Sequence, residues 1–170
     1  MLSLLPALFC AGLITSALPA SQADLLESPY RHVRTTTPRV QRLLEIGVSR
    51  SPTFASLIAR LNVSDVIVYI EQTDNIPKTL DGRLLLMPLA NNQRYLRIQI
   101  NRTGTPPDLI SLIGHELRHA IEVAEATDVR DERALERLYQ RIGAPSTTLH
   151  SYDTDAAQTT GRRVRKELLA

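Results

Sequence analysis

His115, Glu116 and His119 are the residues of this 170-residue chain whose types and spacing bear most directly on chemistry. They lie in the run His115-Glu116-Leu117-Arg118-His119, an H-E-x-x-H pattern. Residues i and i+4 of a helix share one face, about one turn apart. Two imidazoles placed that way can bind one tetrahedral zinc ion. The glutamate between them points beside the metal, where it can take a proton from a zinc-bound water as general base. The competing explanation is an amphipathic helix whose His and Glu are only solvated or capping groups.

The element that must hold these groups runs from Thr105 to Ala126, TPPDLISLIGHELRHAIEVAEA. Thr105 suits the N-cap, Pro106 the first turn, and Asp108 the positive end of the helix dipole. Leu109, Leu112, Ile113, Leu117, Ala120, Ile121 and Ala124 recur at helical spacing and supply a broad apolar surface. A central core helix is expected, with the two histidines emerging from it. Gly114 lowers helix propensity beside the motif and leaves room for another backbone to approach.

Two histidines leave a catalytic zinc site one protein ligand short. Glu122 is on the same face, but it lies about 10 Å along the axis from His115 and is better suited to tuning His119. Asp128, Asp131, Glu132 and Glu136 sit on or near the next helix, where a solvated face explains them equally well. The segment Tyr152-Asp153-Thr154-Asp155-Ala156-Ala157 opens another helix, 34 residues after His119, with room for an intervening helix and loop. That segment offers Asp153, for which helix N-capping is the equal competitor, and Asp155 as the nearest substitute. His150 and Tyr152 precede it and could donate to an oxyanion, although a loop histidine and a packing tyrosine need no such role.

The motif stretch resembles the active-site helix of the zincin metallopeptidases. In gluzincin-type zincins a second helix brings in an acidic ligand, often as E-x-x-A. Asp153-Thr154-Asp155-Ala156 resembles that with Asp in place of Glu, so the helix must come nearer by one methylene. Small Ala156 and Ala157 would permit close helix packing. Glu125 falls where the extended metzincin motif has its third histidine, but this chain has Glu122 where that motif needs Gly. The resemblance covers the motif helix and, more weakly, the later segment. It implies a Zn2+ cofactor held by His115, His119 and Asp153, with Glu116 as base and a polypeptide substrate.

The remaining sequence supplies the frame. Thr37-Pro38 opens a helix to about Val48, and Ser51-Pro52 another to about Leu61, after an irregular lead-in over 24–36. Asp65–Glu71 (DVIVYIE), Gly82–Leu89 and Arg94–Ile100 (RYLRIQI) read as three strands. Short connections favour an antiparallel meander, and the resemblance to zincins implies that RYLRIQI is nearest the cleft with its edge open to an extended peptide. Leu96, Ile98 and Ile100 should face inward. Val129–Ile142 and Asp153–Leu169 read as helices, with Ala134, Leu135, Leu138 and Ile142 inward on the first and Ala156, Ala157, Val164 and Leu168 on the second. The expected fold is therefore α+β: a small three-stranded antiparallel sheet packed with helices, the motif on a central one, zincin-like by resemblance.

Met1 to Ala23 contains no Asp, Glu, Lys or Arg and ends in Ser21-Gln22-Ala23, a small-x-small pattern. It reads as a secretory signal peptide (1–23) cut before Asp24, which leaves 24–170 as one domain, exported to the periplasm or medium with no lasting membrane insertion. An uncleaved anchor is the alternative, weakened by Pro6, Gly12 and Pro19. Cys10 is the single cysteine, so neither a disulfide framework nor a thiolate zinc site is available after cleavage. Net charge is +2, and the one basic cluster, Arg162, Arg163, Arg165 and Lys166, has no interleaved aromatics. A solvated helix face fits it better than a nucleic-acid site. The expected function is that of a secreted zinc-dependent hydrolase, most simply a metallopeptidase. The alternative is a non-catalytic, zincin-like module that binds metal or a partner protein.

Overall fold

Two Pro-initiated helices follow a short first strand in the computed structural model, which describes residues 30–77, 79–90, 93–145 and 152–170. The expected signal peptide (1–23) and His150 lie outside these residues. Helix α1 spans Pro38–Arg50 and α2 spans Pro52–Asn62. Proline at the first helical position lacks only an N–H that would be unpaired anyway. Between them, Ser51 accepts from the Phe54 amide at 3.0 Å and caps α2. Val40, Leu43, Leu44, Phe54, Leu57, Ile58 and Leu61 are all buried in the core.

The sheet has four strands and is mixed, which corrects the expected three-stranded antiparallel meander. Strands β1 (Val33–Arg34), β2 (Val66–Gln72), β3 (Gly82–Ala90) and β4 (Gln93–Ile100) lie in the order β1-β2-β4-β3. β1 and β4 each pair with β2 in parallel, and only β3 is antiparallel, to β4. The chain passes from β2 to the far edge before β4 fills the slot between them. β4 therefore has both edges paired, and the expectation that Arg94–Ile100 forms an open edge is wrong. That edge is β3, where Pro88 sits at a register shift between Met87 and Ala90. A residue without an N–H is tolerated there. Leu96, Ile98 and Ile100 do face inward, each fully buried.

Helix α3, Pro106–Glu125, crosses the middle of the molecule. Its buried residues include Leu109, Ile110, Ile113, Leu117, Ala120 and Ile121. Arg94, with no exposed surface, anchors its C-terminal end. Its guanidinium donates to the carbonyls of Val123 at 2.6 Å, Ala126 at 2.8 Å and Ala124 at 3.1 Å. It also pairs through two nitrogens with Asp65, at 2.6 and 2.9 Å. The last carbonyls of a helix have no partner within the helix, and a cation there also complements the dipole.

Asp131 caps helix α4 (Glu132–Ile142) by accepting from the Ala134 amide at 2.7 Å. Ala134 and Leu138 point inward as expected, but Ile142 is 43% exposed and Tyr139 is buried in its place. Short strands β5 (Ala144–Pro145) and β6 (Tyr152–Asp153) pair antiparallel. Helix α5, Asp155–Leu169, then packs along α3. Its inner face is Ala157, Gly161, Val164 and Leu168, whereas Ala156 is exposed, contrary to expectation. Gly161 permits the approach: a methyl group there would stand 3.3 Å from the His115 Cβ and 3.4 Å from the Ser111 carbonyl. At the other end of α5, Glu167 accepts from Ser51 Oγ at 2.5 Å and from Thr53 Oγ1 at 2.7 Å, which ties α5 to the start of α2.

Candidate metal centre

His115 and His119 project from one face of α3, as i, i+4 spacing requires. Their Nε2 atoms are 3.2 Å apart. Asp153, at the end of β6, places Oδ1 at 3.4 Å from His115 Nε2 and 3.6 Å from His119 Nε2. Three potential ligand atoms thus form a nearly equilateral triangle. Zn–N bonds of about 2.0–2.1 Å in a tetrahedron separate the ligand atoms by about 3.3 Å, so the donor set fits a zinc ion in both chemistry and spacing. Without a metal, two imidazole nitrogens facing each other can share one hydrogen at most.

The other acidic candidates lie elsewhere. Glu125 is half exposed and pairs with Arg60 and, at 3.9 Å, with Arg118. Asp155 is exposed in the first turn of α5. Asp131 caps α4, and Glu132 and Glu136 are exposed residues of α4 that line the same cleft but are not part of the three-residue cluster. The N-cap of α5 is Thr154, not Asp153: Thr154 Oγ1 accepts from the Ala157 amide at 3.0 Å. Asp153 precedes the cap, accepting from the Thr154 amide at 2.7 Å on Oδ1 and from Gln158 at 2.9 Å on Oδ2.

Glu122 is buried behind His119. Its Oε2 is 2.9 Å from His119 Nδ1, and its Oε1 accepts from Thr154 Oγ1 at 2.8 Å. The first contact holds the Nδ1 hydrogen and leaves Nε2 to face Asp153 and His115. The second joins the helix that carries the histidines to the residue beside Asp153. Thr154 and Tyr139 were not singled out from the sequence. Tyr139 packs edge-on against the His119 ring, with centroids 5.4 Å apart. Its only sequence signal is a place on the inner face of α4.

Electrostatics follow from this crowding. Burial pulls His119 toward the neutral form, but the carboxylates of Asp153 and Glu122 outweigh it and raise its pKa. Burial and the neighbouring His119 lower the pKa of His115. Burial would raise Asp153, yet His119 and Gln158 hold it well below the usual carboxylate range. Glu116 is only 5% exposed. Burial raises its pKa from 4.5 to about 7.

Glu116, His115, His119 and Asp153 open together onto a cleft of about 1020 Å³ between β3, α3, α4 and α5. Leu84 and Leu86 of the edge strand, Leu112 of α3 and Leu135 of α4 supply apolar walls. Comparison with protein-family models, curated proteins and solved structures found no match to this chain.

Proposed function

We propose that the chain is a zinc-dependent hydrolase of the zincin type, acting on polypeptides after export from the cytoplasm. The observation that carries this reading is the triangle of His115 Nε2, His119 Nε2 and Asp153 Oδ1, with edges of 3.2–3.6 Å, beside a buried glutamate. These three residues would hold the metal. Zinc, when bound, supplies Lewis acidity, polarising a scissile carbonyl and making water ionisable near neutral pH.

The protein's own groups do the rest. Glu116 lies next to His115 with only 5% of its surface exposed, and burial lifts its carboxyl above the usual range, which favours its taking a proton. It takes the proton of the attacking water and delivers it to the departing amine. Glu122 orients His119, and Gln158 with the Thr154 amide orients Asp153. The polypeptide substrate rests on the resemblance of the motif helix to metallopeptidases, together with a cleft lined by the sheet's edge strand β3.

The test is metal content followed by hydrolysis. Purified protein should carry close to one zinc per chain, and His115→Ala or His119→Ala should lose most of it. Full zinc occupancy in both variants would remove the site. Zinc binding without cleavage in a broad peptide library would favour the non-catalytic module.

A further inference from the structure

Gly82, the first residue of β3, is packed directly against Glu116. A methyl group built on Gly82 would stand 2.8 Å from Glu116 Oε1, 3.3 Å from its Cδ and 3.2 Å from Leu112 Cδ1. Carbon and oxygen do not approach to 2.8 Å without one of them moving. Backbone conformation does not explain the glycine. Among the described residues Gly104, with φ 122°, is the glycine in the left-handed region, and Gly82 is not. Glycine loses more conformational freedom on folding than alanine, so its place at the start of β3 calls for a compensating reason.

We propose that Gly82 is a positioning residue for Glu116: its missing side chain is the space in which the base carboxylate sits. This rests on the role proposed above for Glu116. The edge strand comes close enough to shield the carboxylate from water, and only glycine at this position lets it do so without displacing the carboxylate. The carboxylate terminates a flexible side chain, whereas the β3 backbone is fixed by its ladder to β4, through the pair Gly82 and Ile100. An alanine therefore moves the base and leaves the strand in place. His115, His119 and Asp153 are not among the nearest contacts of that methyl, so the metal ligands should be undisturbed.

The experiment compares Gly82→Ala with the parent in zinc content, thermal stability and the separate values of kcat and KM. Zinc content should be unchanged. The value of kcat should fall by about ten- to a hundredfold, as expected for a reacting group misplaced by about 1 Å, with KM much less affected. A double-mutant cycle supplies a readout independent of turnover. In a Glu116→Ala background the added methyl meets no carboxylate, so Gly82→Ala should raise the melting temperature more there than in the parent. Its contact with Leu112 is common to both backgrounds and cancels. An active parent with equal kcat in Gly82→Ala, or no coupling in the cycle, overturns the proposal. A parent with no turnover but clear coupling overturns the hydrolase reading instead and leaves only the packing contact.

Discussion

Asp153 decides whether the two histidines form a complete metal centre. The motif on α3 was legible because one helical turn is fixed geometry: His115 and His119 must share a face wherever the helix goes. The third carboxylate was not legible in the same way. Asp153, Asp155 and Glu125 are chemically alike in sequence, and what separates them is tertiary. Glu125 turns to Arg60 and Arg118, Asp155 faces solvent, and Asp153 alone of the three meets both imidazoles. Thr154 holds the capping role that competed for Asp153. Asp153→Ala should therefore weaken zinc binding and hydrolysis in parallel without unwinding the start of α5. Competition with a chromophoric chelator and helical circular dichroism would check the two halves. Unchanged zinc affinity in that variant would exclude Asp153 as a ligand.

Among the elements, helices were read more securely than strand order. Pro38, Pro52 and Pro106 announce their helices locally, and apolar spacing names the inner faces. Strand order depends on where a connection lands, and no residue in 73–81 states that β3 goes to the outer edge. One signal was present. Val66, Ile67, Val68 and Ile70 are all buried, and a nearly unbroken apolar run marks a strand covered on both faces and is common in parallel pairing. β1 has two residues, too few to show any period. At the site, Thr154 and Glu122 join the start of α5 to α3 through a 2.8 Å hydrogen bond, beside the packing at Gly161 that holds the two helices together. Thr154→Val removes the hydroxyl and keeps the shape. It should weaken zinc affinity by up to about tenfold, less than the ten- to hundredfold typical of groups that hydrogen-bond a ligand directly, because the hydroxyl acts on His119 only through Glu122. Thr154→Ser should restore most of it. Identical affinities in all three proteins would show that this contact only holds the helices together.

The whole molecule rests on one core cluster drawn from the helices and the sheet, and the site sits where α3, α5 and the sheet edge converge. Arg94 is central to that arrangement because it ties β4 to the end of the motif helix. Its burial was not foreseen, although it shares strand parity with Leu96 and Ile98 and so had to point inward. Arg94→Met should destabilise by at least about 2 kcal/mol, since several buried helix carbonyls lose their donor at about 1–3 kcal/mol each, while the part-exposed Asp65 keeps Arg130 at 3.7 Å. Denaturant unfolding would measure this, and a loss below about 1 kcal/mol would contradict the anchoring role. Among the described residues, no helix is long and apolar enough to cross a membrane.

The central claim is that Glu116 acts as a base beside a metal held by other residues, so the most direct measurement is zinc affinity and turnover of Glu116→Gln against the parent. Glutamine keeps the size and most of the hydrogen bonding but cannot take the proton. The account predicts a folded variant with parental zinc affinity and a loss of turnover of about a hundred- to ten-thousandfold. Turnover equal to the parent, in a variant that still binds zinc, would contradict it.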